Sequence, residues 1–547
     1  MRSLRCGLPR VLALGAVAVA LVTSCASTTT QTQAAAPQST TPTTNILGGT
    51  RAGPDDGTPG TTGKLVFGIE GDPEGMDPVR YALSESGHTV ASAVFDPLFA
   101  LDASGTAVPY LAKGATKSED LLTWTIELPT GVKFHDGTDM DATAVAADMK
   151  AYQSSIITGL AFKIISSIEA PDPTHVVFHM AKPLWNFPDF LVTQGGYVFS
   201  PKMIDDTTLV DEPIGTGPFK IDNHVKGESW SFKRNTSYWR AGLPHLDAIE
   251  FRPIPDRAAR LQGLNSGDLD VIHTNSPTQI AELRKTDLKR VENANGPRDF
   301  IVLNTQAAPF DNLKARQALV AATDTKKWLN GTMAGIEQPA NSPYAPGQPG
   351  YLAENGYPQF DQAKARDLIK QYTAETGQPM DFKLTVQGGI DTQAWAQEFV
   401  AQWAEVGVKA EVVPLPEIIG IAQIGAGNYQ AGIYRLFGQP NPDSETHFLR
   451  SSSITTTGIS LNFARFDDYR IEPALDTALS TGDTARRTSN YETVNKVLAE
   501  QVPYVWLGRS TWVVAAQPKV NGIYGAENGT IASLGPKTWI ADLSITK

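Results

Sequence analysis

Residues 361–413, DQAKARDLIKQYTAETGQPMDFKLTVQGGIDTQAWAQEFVAQWAEVGVKAEVV, contain two successive helix–strand units. Apolar residues that recur every three to four positions predict helices over 361–372 and 392–406. Shorter apolar and alternating runs predict strands over 382–386 and 408–413. Gly407 separates the second helix from its strand, as glycine commonly does where a helix ends. Repeated units of this kind predict an α/β architecture with largely parallel sheets.

The same two patterns recur elsewhere in the chain from residue 64 onward. Alternating or apolar runs predict strands over 64–70, 123–128 and 269–272. Helical periodicity predicts helices over 144–152, 256–264 and 312–329. Asp141 is the expected N-cap of the first of these helices, and Gly267 and Gly331 are expected to end the other two. No segment repeats at a period of 20–50 residues, which argues against a solenoid or a propeller.

The composition indicates a large globular protein and argues against nucleic-acid binding. The chain has 547 residues, 41% of them hydrophobic, which is enough for several cores and predicts three to four compact units or one large two-lobed body. It carries 46 Lys and Arg against 58 Asp and Glu, for a formal net charge of −12. A nucleic-acid-binding protein needs a basic face to displace counterions. We therefore expect no nucleic-acid partner.

The N-terminus has the features of an export signal. Arg2, Arg5 and Arg10 precede an apolar run over 11–22, which is too short to span a bilayer and predicts a secretory signal over 1–24. Residues 22–25, Val-Thr-Ser-Cys, resemble the lipobox of bacterial lipoproteins, which implies cleavage before Cys25 and lipidation of that residue. Residues 25–63 are rich in Thr, Pro and Gly, and predict a disordered tether between membrane and body.

Known catalytic motifs are absent from the sequence. It contains no G-x-x-x-x-G-K-[ST], G-x-S-x-G or H-E-x-x-H. His175 and His179 have a metal-compatible spacing, but the apolar residues between them favour a strand. The carboxylates at 70, 72, 74 and 77 follow a strand end, where turn formation and helix capping are commoner roles than glycosidase chemistry. We therefore expect a binding protein, not an enzyme, with neither a cofactor nor a bound metal.

Several segments of the body, in this order, carry a family resemblance: EGDPEGMDP at 70–78, FDPLF at 95–99, WTIELPTGVKFHDG at 124–137, GTGPF at 215–219 and NTSYW at 235–239. The second half adds LN at 303–304, PF at 309–310 and RQAL at 316–319. Together they resemble the extracellular solute-binding proteins of family 5, which serve peptide- and nickel-type ABC transporters.

The resemblance implies a two-lobed, periplasmic-binding-protein-like fold of type II. Lobe I would comprise 64–100, 210–299 and 506–547, with an inserted subdomain at 101–209, and lobe II would comprise 300–505. Hinge closure between the lobes would trap the solute.

The resemblance also implies which residues line the ligand site. In dipeptide-binding members an aspartate holds the ligand's ammonium, but the corresponding position here is Gly438. Those members also use an arginine after the strand that matches 382–386, where this chain offers Gln387. Arg435 could hold a ligand carboxylate or pair with a carboxylate of its own lobe. The predicted ligand-binding residues are Tyr81, Ala82, Leu83, Ser84, Gln387, Tyr434, Arg435, Phe437, Gly438 and Asn441.

The function implied is that of a lipid-anchored, monomeric component of an ABC importer on the outer face of the cell membrane. It would bind a peptide, an oligopeptide rather than a dipeptide, and deliver it to the permease. Alternatives are the same fold binding a nickel chelate, a glycoside or another small solute, or acting as a sensor. From a different class, a secreted hydrolase would need a nucleophile or paired acids in the cleft.

Overall fold

The computed structural model describes residues 49–546, except 55, 103, 156–157, 160, 388, 457, 525–529 and 532–538. The described residues all belong to one compact unit. The predicted signal, Cys25 and the tether up to residue 48 lie outside the described residues. Within the described ranges, every helix is too short or too polar to cross a bilayer.

Two large sheets organise the body. The first has eight strands, in the order Gly49–Ala52, Lys289–Asn293, Trp512–Ala516, Val271–Thr274, Lys64–Ile69, Ala248–Pro253, Ser229–Arg234 and Phe219–Val225. The second has six, in the order Gln338–Pro339, Tyr504–Arg509, Arg298–Leu303, Ala431–Leu436, Asp381–Gln387 and Lys409–Leu415. We call the parts of the chain built on these sheets lobe I and lobe II.

Helices cover both sheets. Those of lobe I are Glu85–Val94, Arg257–Ser266 and Pro277–Leu283. Those of lobe II are Leu313–Ala322, Thr325–Asn330, Gln362–Thr376, Ile390–Ala404, Glu417–Ala426, Ile471–Leu479 and Thr484–Gln501. Short 3-10 helices occur at Ala161–Ile164, Phe187–Leu191, Gln194–Gly196, Thr207–Val210, Pro442–Phe448, Ser451–Ser453 and Ile540–Asp542.

Residues 101–209, the predicted inserted subdomain, are built on a four-stranded antiparallel sheet. Its strands, in order, are Gly114–Lys117, Thr123–Glu127, His175–Met180 and Ile165–Asp172. The helices Ala142–Ser154 and Lys202–Asp205 belong to the same range. Three small sheets pair Asp96–Pro97 with Tyr197–Val198, Val520–Asn521 with Ser544–Ile545, and Phe99–Asp102 with both Ala107–Pro109 and Thr530–Ile531.

The α/β prediction is confirmed, but two details of it are wrong. Among the described strands, parallel pairing is confined to the neighbours of Lys64–Ile69 and of Asp381–Gln387. The other pairs of both large sheets are antiparallel, and many of them join strands from distant parts of the chain. The helix expected over 312–329 is divided at Thr323, whose backbone is extended. Asp324 then accepts a hydrogen bond from the Lys327 amide and starts a second helix.

The end of the predicted tether is attached to lobe I. The strand Gly49–Ala52 pairs antiparallel with Lys289–Asn293 at the sheet edge. The buried Lys289 Nζ lies 2.9 Å from Asp56 Oδ1 and 2.8 Å from Asn521 Oδ1. The prediction of a disordered tether up to residue 63 is therefore wrong for this part, because backbone pairing and a buried ion pair order a segment that has few large apolar side chains.

The chain passes between the two sheets at residues 294–297 and 510–511. Ser510 donates two hydrogen bonds to the Pro297 carbonyl oxygen, one from its amide at 3.0 Å and one from its hydroxyl at 2.9 Å. The Gly296 amide donates to the Ser510 carbonyl oxygen at 3.2 Å. The strands of lobe II begin at Arg298 and end at Arg509, so lobe II extends a few residues beyond the predicted range of 300–505 at both ends.

Three of the sequence blocks that carry the family resemblance meet at one buried carboxylate. Asp96, from the block at 95–99, accepts hydrogen bonds from the Thr216 hydroxyl at 2.9 Å and the Tyr238 hydroxyl at 2.9 Å. The Trp239 indole donates a third at 2.8 Å. The recognisable residues of these blocks therefore hold lobe I together.

We expect Asp96→Ala to lower the free energy of unfolding by about 3 kcal/mol or more, because three buried donors lose their acceptor. Urea unfolding followed by tryptophan fluorescence measures the change. Asp205→Ala, at an exposed position on the helix Lys202–Asp205, is the matched control and should leave the midpoint unchanged. Equal midpoints for Asp96→Ala and the control would show that the three hydrogen bonds contribute little.

Candidate functional site

The residues predicted to bind ligand lie on both lobes. The segment 81–84 precedes the helix Glu85–Val94 of lobe I. The others follow or end two neighbouring parallel strands of lobe II, Asp381–Gln387 and Ala431–Leu436, whose carboxyl ends meet at one sheet edge. Across this edge the lobe I helix residue Arg257 forms an ion pair with Asp391 of lobe II. The members in lobe II thus lie at the edge that meets lobe I, whereas the segment 81–84 contacts Gln194 of the subdomain.

Gln194 fixes the backbone of the lobe I segment. Its side-chain amide donates to the Pro78 and Tyr81 carbonyl oxygens, each at 2.7 Å, and its Oε1 accepts from the Leu83 amide at 3.2 Å. The Ser84 hydroxyl oxygen caps the following helix by accepting from the Gly87 amide at 3.2 Å. Ala82 and Ser84 are exposed. Residues 81–84 thus form a loop that is fixed by hydrogen bonds and that exposes the small residues Ala82 and Ser84.

Arg435 is paired within its own lobe. Its Nε and Nη2 donate to the two carboxylate oxygens of Asp299 at 2.8 and 3.1 Å, and the two residues lie opposite each other on adjacent strands. Burial acts to lower the pKa of Arg435, but the Asp299 charge outweighs it and the pKa is raised. The side chain of Arg435 is 30% exposed and that of Asp299 only 2%. The sequence left two roles for Arg435, holding a ligand carboxylate or pairing with a carboxylate of its own lobe. In the structure it pairs with Asp299 of its own lobe.

Two further carboxylates adjoin this pair. Burial raises the pKa of Glu337 to about 8, the Asp299 charge adds to the increase, and Arg435 opposes it. The Oε2 atom of Glu337 is buried and has no partner among the described residues. Glu70 of lobe I binds Arg260 at 2.9 Å; burial raises its pKa, whereas Arg260, Arg257 and Arg435 lower it. The junction therefore holds several acids around Arg435.

The two aromatic residues that the predicted site has in lobe II, Tyr434 and Phe437, pack against the core of that lobe. Tyr434 packs on Phe463, with ring centroids 4.9 Å apart. Phe437 is buried against Phe300 and has a positive φ of 62°, which is strained for a non-glycine residue. The buried Oε1 of Gln387 has no partner among the described residues.

Gly438 lies so close to Pro297 that there is no room for a side chain. Its amide donates to Glu445 Oε1 at 2.8 Å. A Cβ atom at this position would lie 2.8 Å from Pro297 Cγ, in the passage between the lobes. An aspartate, as in the dipeptide-binding members, would not fit here without displacing Pro297.

Asn441 links lobe II to the inserted subdomain. Its amide group donates to Asp189, and its Oδ1 accepts from Arg487 at 3.3 Å. Arg487 in turn binds both carboxylate oxygens of Asp443, at 2.8 and 2.9 Å. Burial, followed by the Asp443 charge, raises the pKa of Asp189 to about 8. Asn186, Arg487 and Asn441 act in the opposite direction.

Sequence reasoning missed the contacts between lobe II and the subdomain and the charged residues of the junction. The Trp185 amide donates to the Leu479 carbonyl oxygen at 2.7 Å, and Lys182 binds Asp476 at 2.7 Å. Arg298 and Arg509 lie opposite each other on the two strands that adjoin the passages. These residues carry no motif, and only the fold brings them together.

The other residues that the sequence singled out contact neighbouring side chains. Within the described ranges no three metal-ligating side chains cluster. His175 and His179 lie on a strand, as predicted, and have Asp172 and Glu169 as neighbours at 2.9 and 3.5 Å. Asp72 accepts from the Trp230 indole at 2.7 Å and is a loop-fixing group.

Comparisons with known proteins agree with this architecture. The family described as "Bacterial extracellular solute-binding proteins, family 5 Middle" matches residues 106–457. Glutathione-binding protein GsiB of Shigella dysenteriae serotype 1 is 28% identical over 451 residues, which cover 80% of this chain and 87% of the relative. GsiB of Escherichia coli O157:H7 is 28% identical with the same coverage.

Solved structures show the fold. The periplasmic binding protein DppA from Helicobacter pylori, in complex with the peptide STSA, has a TM-score of 0.77 at 21% identity and covers 89% of this chain and 99% of its own. AppA from Bacillus subtilis, in complex with a nonapeptide, has a TM-score of 0.77 at 20% identity, with 90% and 100% covered. The expected type II binding-protein fold is thereby confirmed. Since the family match spans more than half of the sequence, the chain belongs to the bacterial extracellular solute-binding proteins of family 5.

Proposed function

We propose that this protein is the solute-binding component of an ABC importer, which traps a peptide by closing lobe I on lobe II and delivers it to a membrane permease. The observation that carries the proposal is the connection of two separate sheets by the short passages at 294–297 and 510–511. Short paired connections of this kind can absorb the rotation of a hinge.

The contacts away from the hinge support a reversible closure. Lobe I and its subdomain meet lobe II through the polar contacts of Arg257 with Asp391, Lys182 with Asp476, and Asp189 with Asn441. The two ion pairs are exposed and contribute little stability each, so they can break and reform. The hydrogen bond between Asn441 and the buried Asp189 would break as well when the lobes separate. A solute that contacts both lobes would add the free energy that shifts the population towards the closed form.

The surroundings of the site favour a longer peptide. Gly438 and Gln387 replace the charged end clamps of dipeptide-binding members, and the approach of Pro297 to Gly438 leaves no room for an aspartate. Without these two clamps, backbone hydrogen bonds and bridging water would supply a larger share of the affinity. The relatives named for glutathione and the neighbours solved with a tetrapeptide and a nonapeptide support the same class of solute.

We expect native mass spectrometry of the purified protein to reveal a co-purified peptide, and small-angle scattering to show a smaller radius of gyration with that peptide than without it. A binding protein releases its solute intact, so denaturation should return the same mass. Cleavage products would instead favour a hydrolase. An unchanged radius of gyration with saturating peptide would contradict hinge closure.

Closure should depend on pH through Asp189. Its pKa is about 8 when it is buried against lobe II, whereas an exposed aspartate has a pKa of about 3.9. Closing therefore takes up a proton between these values, and the closed state loses stability as pH rises towards 8. We expect peptide affinity to increase from pH 8 to pH 6, by up to about tenfold per pH unit for this group alone.

Calorimetric titrations at pH 6, 7 and 8 measure this dependence. Asp189→Asn should flatten it, because the amide does not titrate, whereas Asp205→Asn on the same subdomain should leave it unchanged. Equal pH slopes for the wild type and Asp189→Asn would refute the role of Asp189.

The proposal places the protein on the outer face of the membrane, held by a lipid on Cys25. The support is the lipobox-like sequence at 22–25 and the odd cysteine at the start of the exported part. We expect Cys25→Ser to move the protein from the membrane fraction to the soluble fraction, and Cys6→Ser to have no such effect. Retention of Cys25→Ser in the membrane fraction would exclude this anchor.

A further inference from the structure

Arg509 is a buried arginine without a partner. It is the last residue of the strand Tyr504–Arg509 and is 6% exposed overall. Its guanidinium forms no hydrogen bond or ion pair with any residue in the described ranges, and its Nε is fully buried. An unpaired buried charge is costly, because the charge loses its hydration without gaining a counterion.

The other buried arginines provide an internal comparison. Each of them donates to a carboxylate or to carbonyl oxygens: Arg260 to Glu70 and Ile254, Arg298 to Gly296, Arg316 to Gln501 and Phe310, Arg465 to Thr455 and Gly425, and Arg487 to Asp443. The buried arginines of this protein thus normally donate hydrogen bonds to carboxylate or carbonyl oxygens. Arg509 is the exception within the described residues.

A second arginine increases the positive charge at this position. Arg298 lies directly opposite Arg509 on the neighbouring strand. Burial lowers the pKa of Arg298 to about 9; Glu445 acts against this, and Arg509 adds to it. Burial raises the pKa of Glu445 to about 7, against the effect of Arg298. Glu445 thus offsets the charge of Arg298, whereas burial lowers the pKa of Arg509 and the Tyr351 side chain acts against this. An excess of positive charge is left at this position.

A neutral donor adjoins the same place. The indole Nε1 of Trp512, the first residue of the strand Trp512–Ala516, is buried and has no partner among the described residues. Trp512 lies beside Gly296, where a Cβ atom would be 3.2 Å from the indole Cδ1. The Gly296 carbonyl oxygen is the acceptor of Arg298 Nη1, at 2.9 Å. The passages between the lobes thus gather several N–H donors that lack acceptors.

We propose that Arg509 receives a carboxylate group of the bound solute. The planar guanidinium fork suits two parallel hydrogen bonds to a carboxylate. Arg435, the arginine singled out from the sequence, already has such a partner in Asp299, whereas Arg509 has none. The inference rests on the proposed function and specifies its ligand: a peptide whose free carboxylate is required, held next to the hinge.

Two substitutions test the role of Arg509 without any ligand. Arg509→Met keeps an apolar stem and removes an unpaired charge, so the melting midpoint of the ligand-free protein should rise or stay unchanged. Arg435→Met removes the partner of the buried Asp299, so the midpoint should fall. A fall for Arg509→Met as large as that for Arg435→Met would show a structural role and overturn the inference.

Binding provides the second readout. Calorimetry would use a tetrapeptide mixture as free acids and the same mixture as C-terminal amides. We expect Arg509→Met to weaken binding of the acids by about 10- to 100-fold and to leave binding of the amides unchanged, since a charge-assisted pair is lost only with the acids. Arg509→Lys should recover part of the affinity for the acids. An equal loss for acids and amides, or no loss for either, would overturn the inference.

The two proposals fail in different ways. If the wild-type protein binds neither mixture, the peptide-binding function is wrong. The anion site is then judged on melting midpoints in sodium acetate against sodium chloride at equal ionic strength. Stabilisation by acetate in the wild type, absent in Arg509→Met, supports a carboxylate site; equal midpoints in the two salts overturn it.

Discussion

The pairing of Ser510 with Pro297 joins the two lobes and determines what can lie between them. Both passages of the chain are hydrogen-bonded to each other here, and Gly296 approaches the Ser510 carbonyl oxygen so closely that a Cβ atom would lie 2.4 Å from it. Any movement of lobe II relative to lobe I has to bend this pair of passages. The residues that flank it are therefore the ones whose surroundings change least when the lobes separate.

The strand Arg298–Leu303, which begins at this junction, places charged side chains on both faces of its sheet. Arg298 and Asp299 are successive residues, so their side chains point to opposite sides. Arg298 lies opposite Arg509, and Asp299 lies opposite Arg435. One side consequently has more guanidinium groups than carboxylates, and the other holds Arg435 among Asp299 and Glu337. The same few residues beside the passages thus create surroundings of opposite charge within one short stretch of sheet.

Much of the fold could be predicted from local sequence because its signals are local. Caps such as Asp141 and Asp361 accept the hydrogen bonds that start their helices, and the predicted helices and strands over 361–413 agree with the structure within a few residues. Whether strands pair parallel or antiparallel could not be predicted in the same way, since it depends on which strands become neighbours in the folded sheet. The break at Thr323 was missed because the apolar periodicity continues across it.

The positions of the segments that carry the predicted site residues could be read from the sequence, and the contacts of their side chains could not. Sequence reasoning located the strand ends and the loop at 81–84, but the partner of Arg435 is Asp299, from a distant part of the chain, and Phe437 turns into the core. Asn441 was selected as a ligand residue, yet its amide contacts Asp189 of the subdomain. The absence of a partner for Arg509 is a property of the folded surroundings, which no local pattern records.

The attachment of residues 49–63 has a mechanical consequence. The strand Gly49–Ala52 extends the sheet of lobe I, Asp56 is bound by Lys289, and the Thr61 carbonyl oxygen accepts from Arg234 at 2.8 Å. A pulling force applied upstream of Gly49 would be borne by this edge strand and would reach lobe I alone. In the proposed anchored and hinge-closing protein, lobe II would then carry none of that load, and tension on the anchor would not oppose closure.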